Sequence, residues 1–367
     1  MKVVICPDSF TGTLSAAEAA AAMADGWRGV APHDLLVLRP LSDGGPGFLA
    51  AIEAGRGGRR HVVDVLGPLG QPVHAEYLVD DAGTAWVESA AATGLHLVPP
   101  EQRDPTRTST FGLGQVLASA LAEDPVRIVV GVGGTGTCDG GAGMLAALGA
   151  RSRPAGVLTG GGGGLAGLRS LDLEPALAAV GTRVLEVATD VDVPLLGARG
   201  AARGFAPQKG ASVEQVEQLE AAMGRWGQLL GRGADGRSAA LALGAGAGGG
   251  LGAALLRLGA RRVPGIETVL AATDLTGALA DADVVLTGEG AFDWQSLRGK
   301  VVAGVAAAAT TRAIPTVVLA GRVEVSRREW ITAGVAAVFA AAPEPGQTAA
   351  QGVAAAAARA ARTWARR

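Results

Sequence analysis

DVVLTGEG, residues 283 to 290, opens on an apolar run and breaks into glycine and a carboxylate. Such a run, bounded by turn residues, reads as a buried strand with a polar loop beyond its carboxyl end. The chain beyond it is regular: a helix over 299–312, a strand in PTVVLAG (315–321), a helix over 325–334, a strand in AAVFAAA (336–342) and a C-terminal helix from about Thr348. The start of the chain has the same rhythm. KVVICP (2–7) is a strand, Ser15 and Glu18 stand at the spacing of a capping box that starts a helix near Ala16, LLVLRPL (35–41) is a second strand and PGFLAAIEAG its helix.

Two early and three late strands, alternating with Ala-rich helices, make an α/β domain with one doubly wound parallel sheet of flavodoxin-like order. The middle of the chain is then a second α/β domain, inserted. Within it HVVDVLG, PVHAEYLVD and TAWVES (61–89) are spaced as antiparallel strands, and RIVVGV (127–132) and RVLEVATDV (183–191) extend the unit. The expected division is 1–60 plus 281–367 for the flavodoxin-like domain and 61–280 for the insertion, consistent with 367 residues being too many for one core.

Composition narrows the partners. With 32 basic and 34 acidic residues and no Lys/Arg block, neither nucleic acid nor an anionic membrane is indicated, and a small ligand is expected. No apolar stretch approaches the roughly 20 residues of a membrane span, and Pro7 and Asp8 interrupt the N-terminal run before it could act as a signal peptide, so a cytoplasmic location is expected. Cys6 and Cys138 read as reduced thiols, with no metal or disulfide framework. His33, His61, His74 and His96 lie in no motif and receive no role.

The strand ends carry the chemistry. In open α/β sheets ligands collect beyond the carboxyl ends of strands, where helix N-termini point their amides outward. Those ends here hold Asp8 and Ser9; Asp43, Gly44 and Gly45; Glu289 and Asp293; and Arg322. Within the insertion, GVGGTGTCDGGAGM (131–144) comes after a strand and enters a helix. Gly133, Gly134 and Gly136 are expected to leave amides uncovered for phosphate, Thr135 and Thr137 add hydroxyls, and Asp139 adds a carboxylate suited to Mg²⁺ or to a cap. No G-K-[ST] is attached, so this is no Walker loop. Glycines 160–164 read as a loose surface loop, and the glycines of 244–250 as either ligand approach or tight helix packing.

Lysine is scarce: Lys2, Lys209 and Lys300 are the whole set. Lys209 is expected to stabilise a transferring phosphoryl group, and Lys300 to meet the nucleotide, neutralise a carboxylate or cap a helix. Asp8 and Asp190 both qualify as the base that takes the acceptor's proton. A binding module that closes over an anion is the competing reading, but so many carboxylates would repel an anion that came without a metal, which favours an enzyme using Mg-ATP.

Seven ordered stretches, PDSFTGTLSA (7–16), PLSDGGPG (40–47), VESAAATGLHLVP (87–99), GGTGTCDGGAGM (133–144), DVDVPL (190–195), FAPQKGA (205–211) and LTGEGAFDWQSLRGK (286–300), resemble those of the bacterial glycerate kinase family. The resemblance runs essentially end to end. It implies a flavodoxin-like domain with an inserted α/β domain, ATP and Mg²⁺ as cofactors, and D-glycerate as the acceptor, generally at O2. On this basis Gly133, Gly134, Thr135, Gly136, Thr137, Glu289 and Lys300 are expected at the nucleotide, Ser9, Asp43, Gly44, Gly45 and Arg322 at the acceptor, and Asp139, Glu289 and Asp293 at the metal, with a homodimer compatible. Five positions depart from the family pattern: Thr11 stands for lysine, Pro46 for glutamate, Cys138 and Val193 for asparagine, and Ala291 for arginine. Each departure loses a polar or charged group, two of them cations. A neutral polyol or cyclitol is therefore the alternative acceptor, and a catalytically weakened nucleotide- or anion-binding homologue the third reading.

Overall fold

The computed structural model describes residues 1–367 apart from 11, 234, 235, 298, 366 and 367. Thr11 therefore lies outside the described residues. The chain divides into two units, Met1–Asp43 with Ala50–Arg56 and Ile266–Arg367, and Gly44–Leu49 with Gly57–Gly265.

In the first unit five parallel strands lie in the order Leu35–Leu38, Lys2–Ile5, Val284–Phe292, Thr316–Val323, Val335–Ala340. Numbered along the unit this is 2-1-3-4-5, the flavodoxin-like order expected from the alternation. Side chains of one strand serve both faces, as period-two pleating requires. Val317 and Leu319 pack with Met23, Trp27 and Ala357, whereas Val318 and Ala320 pack with Val302 and Ala306. Helix Ala16–Arg28 begins at the capping box read from sequence: Ser15 Oγ accepts the Glu18 amide at 3.2 Å and Glu18 Oε2 accepts the Ser15 amide at 2.8 Å. Helix Ala349–Trp364 opens on a similar box at Thr348.

The second unit holds a six-stranded sheet in the order Arg261–Val263, Val184–Ala188, Arg127–Gly131, Thr84–Glu88, Pro72–Val79, Arg59–Leu66. The first four are parallel and the last two antiparallel, the hairpin read from the turn residues. Strand Arg261–Val263 and the ribbon of Arg151–Arg153 with Ser170–Asp172 carry too few residues for a legible pattern and were not anticipated. Tyr77, Leu113, Ile128, Val130 and Trp226 centre this core.

The sequence pattern carries the insertion to 280, but residues from Ile266 onward group with the first unit. Close packing accounts for that assignment: a Cβ on Gly304 would stand 2.4 Å from Ile266 Cγ1, and one on Gly55 2.5 Å from Thr273 Cα. The run 160–164 is not a loose surface loop either. Gly162 is buried, and a Cβ there would lie 2.0 Å from the Cys138 carbonyl oxygen. The glycines of 244–250 are likewise tightly packed, since a Cβ on Gly249 would meet the Thr137 carbonyl oxygen at 2.1 Å. Both runs support the 133–140 turn from behind. No helix among the described residues is long and apolar enough to cross a membrane.

Candidate active site

The two units each gather a set of the residues singled out from sequence. In the first, Asp8 stands beyond strand Lys2–Ile5, and its amide donates to the Gly288 carbonyl at 2.8 Å, beside Glu289 on the adjacent strand. Asp43, Glu289 and Lys300 all act electrostatically on Asp8. Burial, then the charge of Asp43, and more weakly that of Glu289, push the Asp8 carboxyl up to about 8, against the Ser9 amide at 2.6 Å and the Lys300 charge. Glu289 is raised to about 7, chiefly by burial, and its Oε1 is buried without a hydrogen-bond partner. Asp43 and Glu289 around Asp8, and Asp293 and Asp43 around Glu289, crowd like charges into a poorly solvated site with Lys300 opposing, which favours the protonated forms of Asp8 and Glu289.

Asp293 has a different task. Its Oδ1 accepts the amides of Gln295 at 2.7 Å and Ser296 at 3.2 Å, which folds the turn after strand Val284–Phe292. Ser296, missed from sequence, is buried and donates to the Ala291 carbonyl at 3.3 Å. Lys300 occupies the N-cap of helix Val301–Thr310. Arg322 is exposed and pairs with Glu324 at 3.3 Å, with no contact to Asp8 or Glu289 among the described residues.

In the second unit the 133–144 stretch forms the expected turn, with its contacts redistributed. The amides of Gly133 and Gly136 are not uncovered: they donate to Gly44 O at 3.0 Å and Thr93 O at 2.7 Å. The amides of Gly134 and Thr135, by contrast, donate to no protein acceptor among the described residues, and Gly134 is exposed with φ at +71°. Thr137 Oγ1 is buried and unpartnered.

Asp139, read from sequence as suited to Mg²⁺ or to a cap, has both oxygens turned to donors of the protein. Its Oδ2 accepts from Thr110 N and Thr110 Oγ1, both at 2.8 Å, and from Gly143 N at 3.1 Å, while Oδ1 accepts from Gly141 N at 3.1 Å. With three donors on Oδ2 and one on Oδ1, this carboxylate is largely taken up by the protein. Thr110 was missed because its partner lies far along the chain. Lys209 is buried behind the turn, where Nζ donates to Thr137 O at 2.6 Å and Thr135 Oγ1 at 3.2 Å. Burial lowers its pKa, partly offset by Cys138 and Asp139. An ammonium has three donors, so two fix the turn and one is left over.

Asp190 Oδ1 accepts the Gly265 amide at 3.0 Å. Of the departures from the family pattern, Cys138 is fully buried against Ala202, Ala206 and Leu219, and burial raises its thiol to about 11. It packs rather than lining a pocket. Pro46 lies against the turn, its Cδ 2.6 Å from where a Cβ on Gly134 would be. Val193 packs against Gly246 and accepts its amide at 3.0 Å.

A strand-end carboxylate cluster in the first unit and, in the second, a glycine turn with free amides are each features expected of phosphoryl transfer. The glycerate kinase family model matches residues 3–366. This chain belongs to the glycerate kinase family. It is 41% identical over 348 residues to a glycerate kinase of Halalkalibacterium halodurans, covering 93% of this chain and 90% of the relative. It is 40% identical to the glycerate 2-kinase of Escherichia coli, covering 88% and 85%. A crystal structure of a "putative glycerate kinase 2" from Salmonella typhimurium superposes with a TM-score of 0.79 at 40% identity, covering 99% of this chain and 98% of that one. The family's members are phosphotransferases with an alcohol group as acceptor.

Proposed function

We propose that this chain is an ATP-dependent kinase that phosphorylates D-glycerate, at O2. The observation that carries the reading is the buried Asp8 carboxyl beyond strand Lys2–Ile5, beside Glu289 and Asp43 and opposed by Lys300. Burial raises its pKa, the direction that suits a carboxylate to accept a hydroxyl proton. Asp8 takes the proton of the attacking hydroxyl, the new O–P bond forms at the γ-phosphorus, and the bond to the ADP oxygen breaks. Asp190, whose Oδ1 accepts the Gly265 amide, is the alternative base. The free amides of Gly134 and Thr135, with the remaining donor of Lys209, receive phosphate oxygens.

Mg²⁺ belongs to this reading with a revised donor set. Asp139 is largely taken up by protein donors, and no group of three or more ligating side chains stands ready among the described residues. Mg²⁺ commonly uses one or two carboxylates with phosphate oxygens and water, and the unpartnered Glu289 Oε1 beside Asp43 suits that demand. When bound there, the ion supplies charge neutralisation for the phosphates. The test is ADP release from purified protein with ATP, Mg²⁺ and D-glycerate, set against a panel of sugars and cyclitols, with the product's phosphorylated position read by ³¹P NMR. Absence of turnover with every acceptor would sink the kinase reading.

A further inference from the structure

Glu88 ends strand Thr84–Glu88 in register with Gly131 and lies in VESAAATGLHLVP, a stretch that contributes neither base, metal ligand nor phosphate donor. Its Oε2 accepts the amides of Gly47 at 3.1 Å and Leu49 at 3.3 Å, and the Phe48 amide also favours its charged form. The Gly47 and Leu49 amides are orphan donors at the start of helix Phe48–Arg56, so a side chain distant in sequence caps that helix.

The capped segment is unusual in its placement. Gly44–Leu49 groups with the second unit, although the residues on both sides of it group with the first. Glu88 holds the end of the segment, at Gly47 and Leu49. Its start interlocks with the turn: Gly133 N donates to Gly44 O, a Cβ on Gly131 would stand 2.7 Å from Gly44 O, and one on Gly133 would stand 2.5 Å from Gly45 Cα. There is no slack in this contact. Wherever 44–47 sits, the amides of Gly134 and Thr135 go with it.

We propose that Glu88 is a positioning residue for nucleotide binding: by fastening Gly44–Leu49 against the 131–135 turn, it sets the aim of the Gly134 and Thr135 amides at phosphate. This rests on the kinase reading, and touches neither the base nor the acceptor. Burial raises the Glu88 carboxyl to about 7, opposed by the three amides and by Arg60, itself paired with Glu76. The raised value means the carboxylate is ionised above about pH 7 and neutral below it, so the cap weakens as pH falls.

Isothermal titration with ADP and steady-state kinetics on wild type and Glu88→Gln test this, with thermal melts confirming that the variant folds. At about pH 8 the variant should bind ADP about 10-fold more weakly and raise KM for ATP similarly, with KM for D-glycerate little changed. The ratio of wild-type to variant affinity should shrink toward one near pH 6, where the native carboxyl is itself neutral. Equal ADP affinity of the two proteins at pH 8, or a ratio constant with pH, overturns the positioning role and leaves the kinase reading standing. Wild type that binds no ADP and turns over no ATP overturns both. If Glu88→Gln does not fold, Glu88→Asp, which keeps the charge on a shorter stem, should show the same KM split, and a uniform loss of both KM values would count against the proposal.

Discussion

Thr110 N and Thr110 Oγ1 converge on one oxygen, Asp139 Oδ2, each at 2.8 Å. With the Gly141 and Gly143 amides, four donors surround a carboxylate that is 1% exposed. Asp139→Asn puts an amide donor where only acceptors fit. We expect a loss of about 3 kcal/mol in stability, because a buried charged hydrogen-bond acceptor is being removed from its donors. Urea denaturation measures it. If the half-saturating Mg²⁺ concentration rises steeply while stability holds, this structural role is wrong.

Lys209 joins stability to catalysis, since the ammonium that ties down Thr135 and Thr137 also has a donor to spare. Lys209→Met keeps the stem and deletes the charge. Its kcat should drop by about 10²-fold, as for other lost transition-state donors, and its melting temperature should fall as well because the Thr137 carbonyl is left unpaired. Rapid-quench measurement of the chemical step alongside calorimetry separates the two effects. An unchanged kcat would take Lys209 out of the mechanism.

The carboxylate cluster predicts a pH profile. Asp8 must be ionised to accept a proton, and burial with the charges of Asp43 and Glu289 raises its pKa, so kcat/KM should climb as pH rises. Asp43 is the largest charge contribution to that rise. Asp43→Asn should therefore move the midpoint to lower pH, whatever it does to the maximal rate, and Asp8→Asn should remove the rise. A midpoint that stays put in Asp43→Asn would exclude Asp8 as the titrating base.

The acceptor is tested by restoring the family's cations. Ala291 precedes a turn pinned by Ser296, and Thr11 lies in the PDSFTGT stretch. Ala291→Arg with Thr11→Lys should raise kcat/KM for D-glycerate by about 10-fold or more if either cation reaches the substrate carboxylate, since one charge-assisted contact contributes roughly 1.5 to 3 kcal/mol. A wild type that is already efficient with D-glycerate, and no better in the double variant, places those positions away from the acceptor.

Sequence alone determined what local pattern encodes. The 2-1-3-4-5 sheet comes from two early and three late strands, because period-two apolar runs between helical segments leave few ways to bury both faces. Ser15 with Glu18 fixed a helix start within four residues, and Asp8 and Glu289 stood out because strand ends announce themselves. What the sequence left open depended on contacts between residues far apart along the chain. Whether a glycine bares its amide or makes room for a neighbour is decided by what packs on it, so Gly133 gave its amide to Gly44 while Gly134 kept its own free. Asp139 reads as suited to Mg²⁺ or to a cap, and Thr110, 29 residues away, takes one of its oxygens. Glu88 drew no attention because the amides it caps lie about 40 residues earlier. A side chain's chemistry is written in the sequence, but whether its polar atoms are already satisfied is settled only when the fold supplies or withholds their partners.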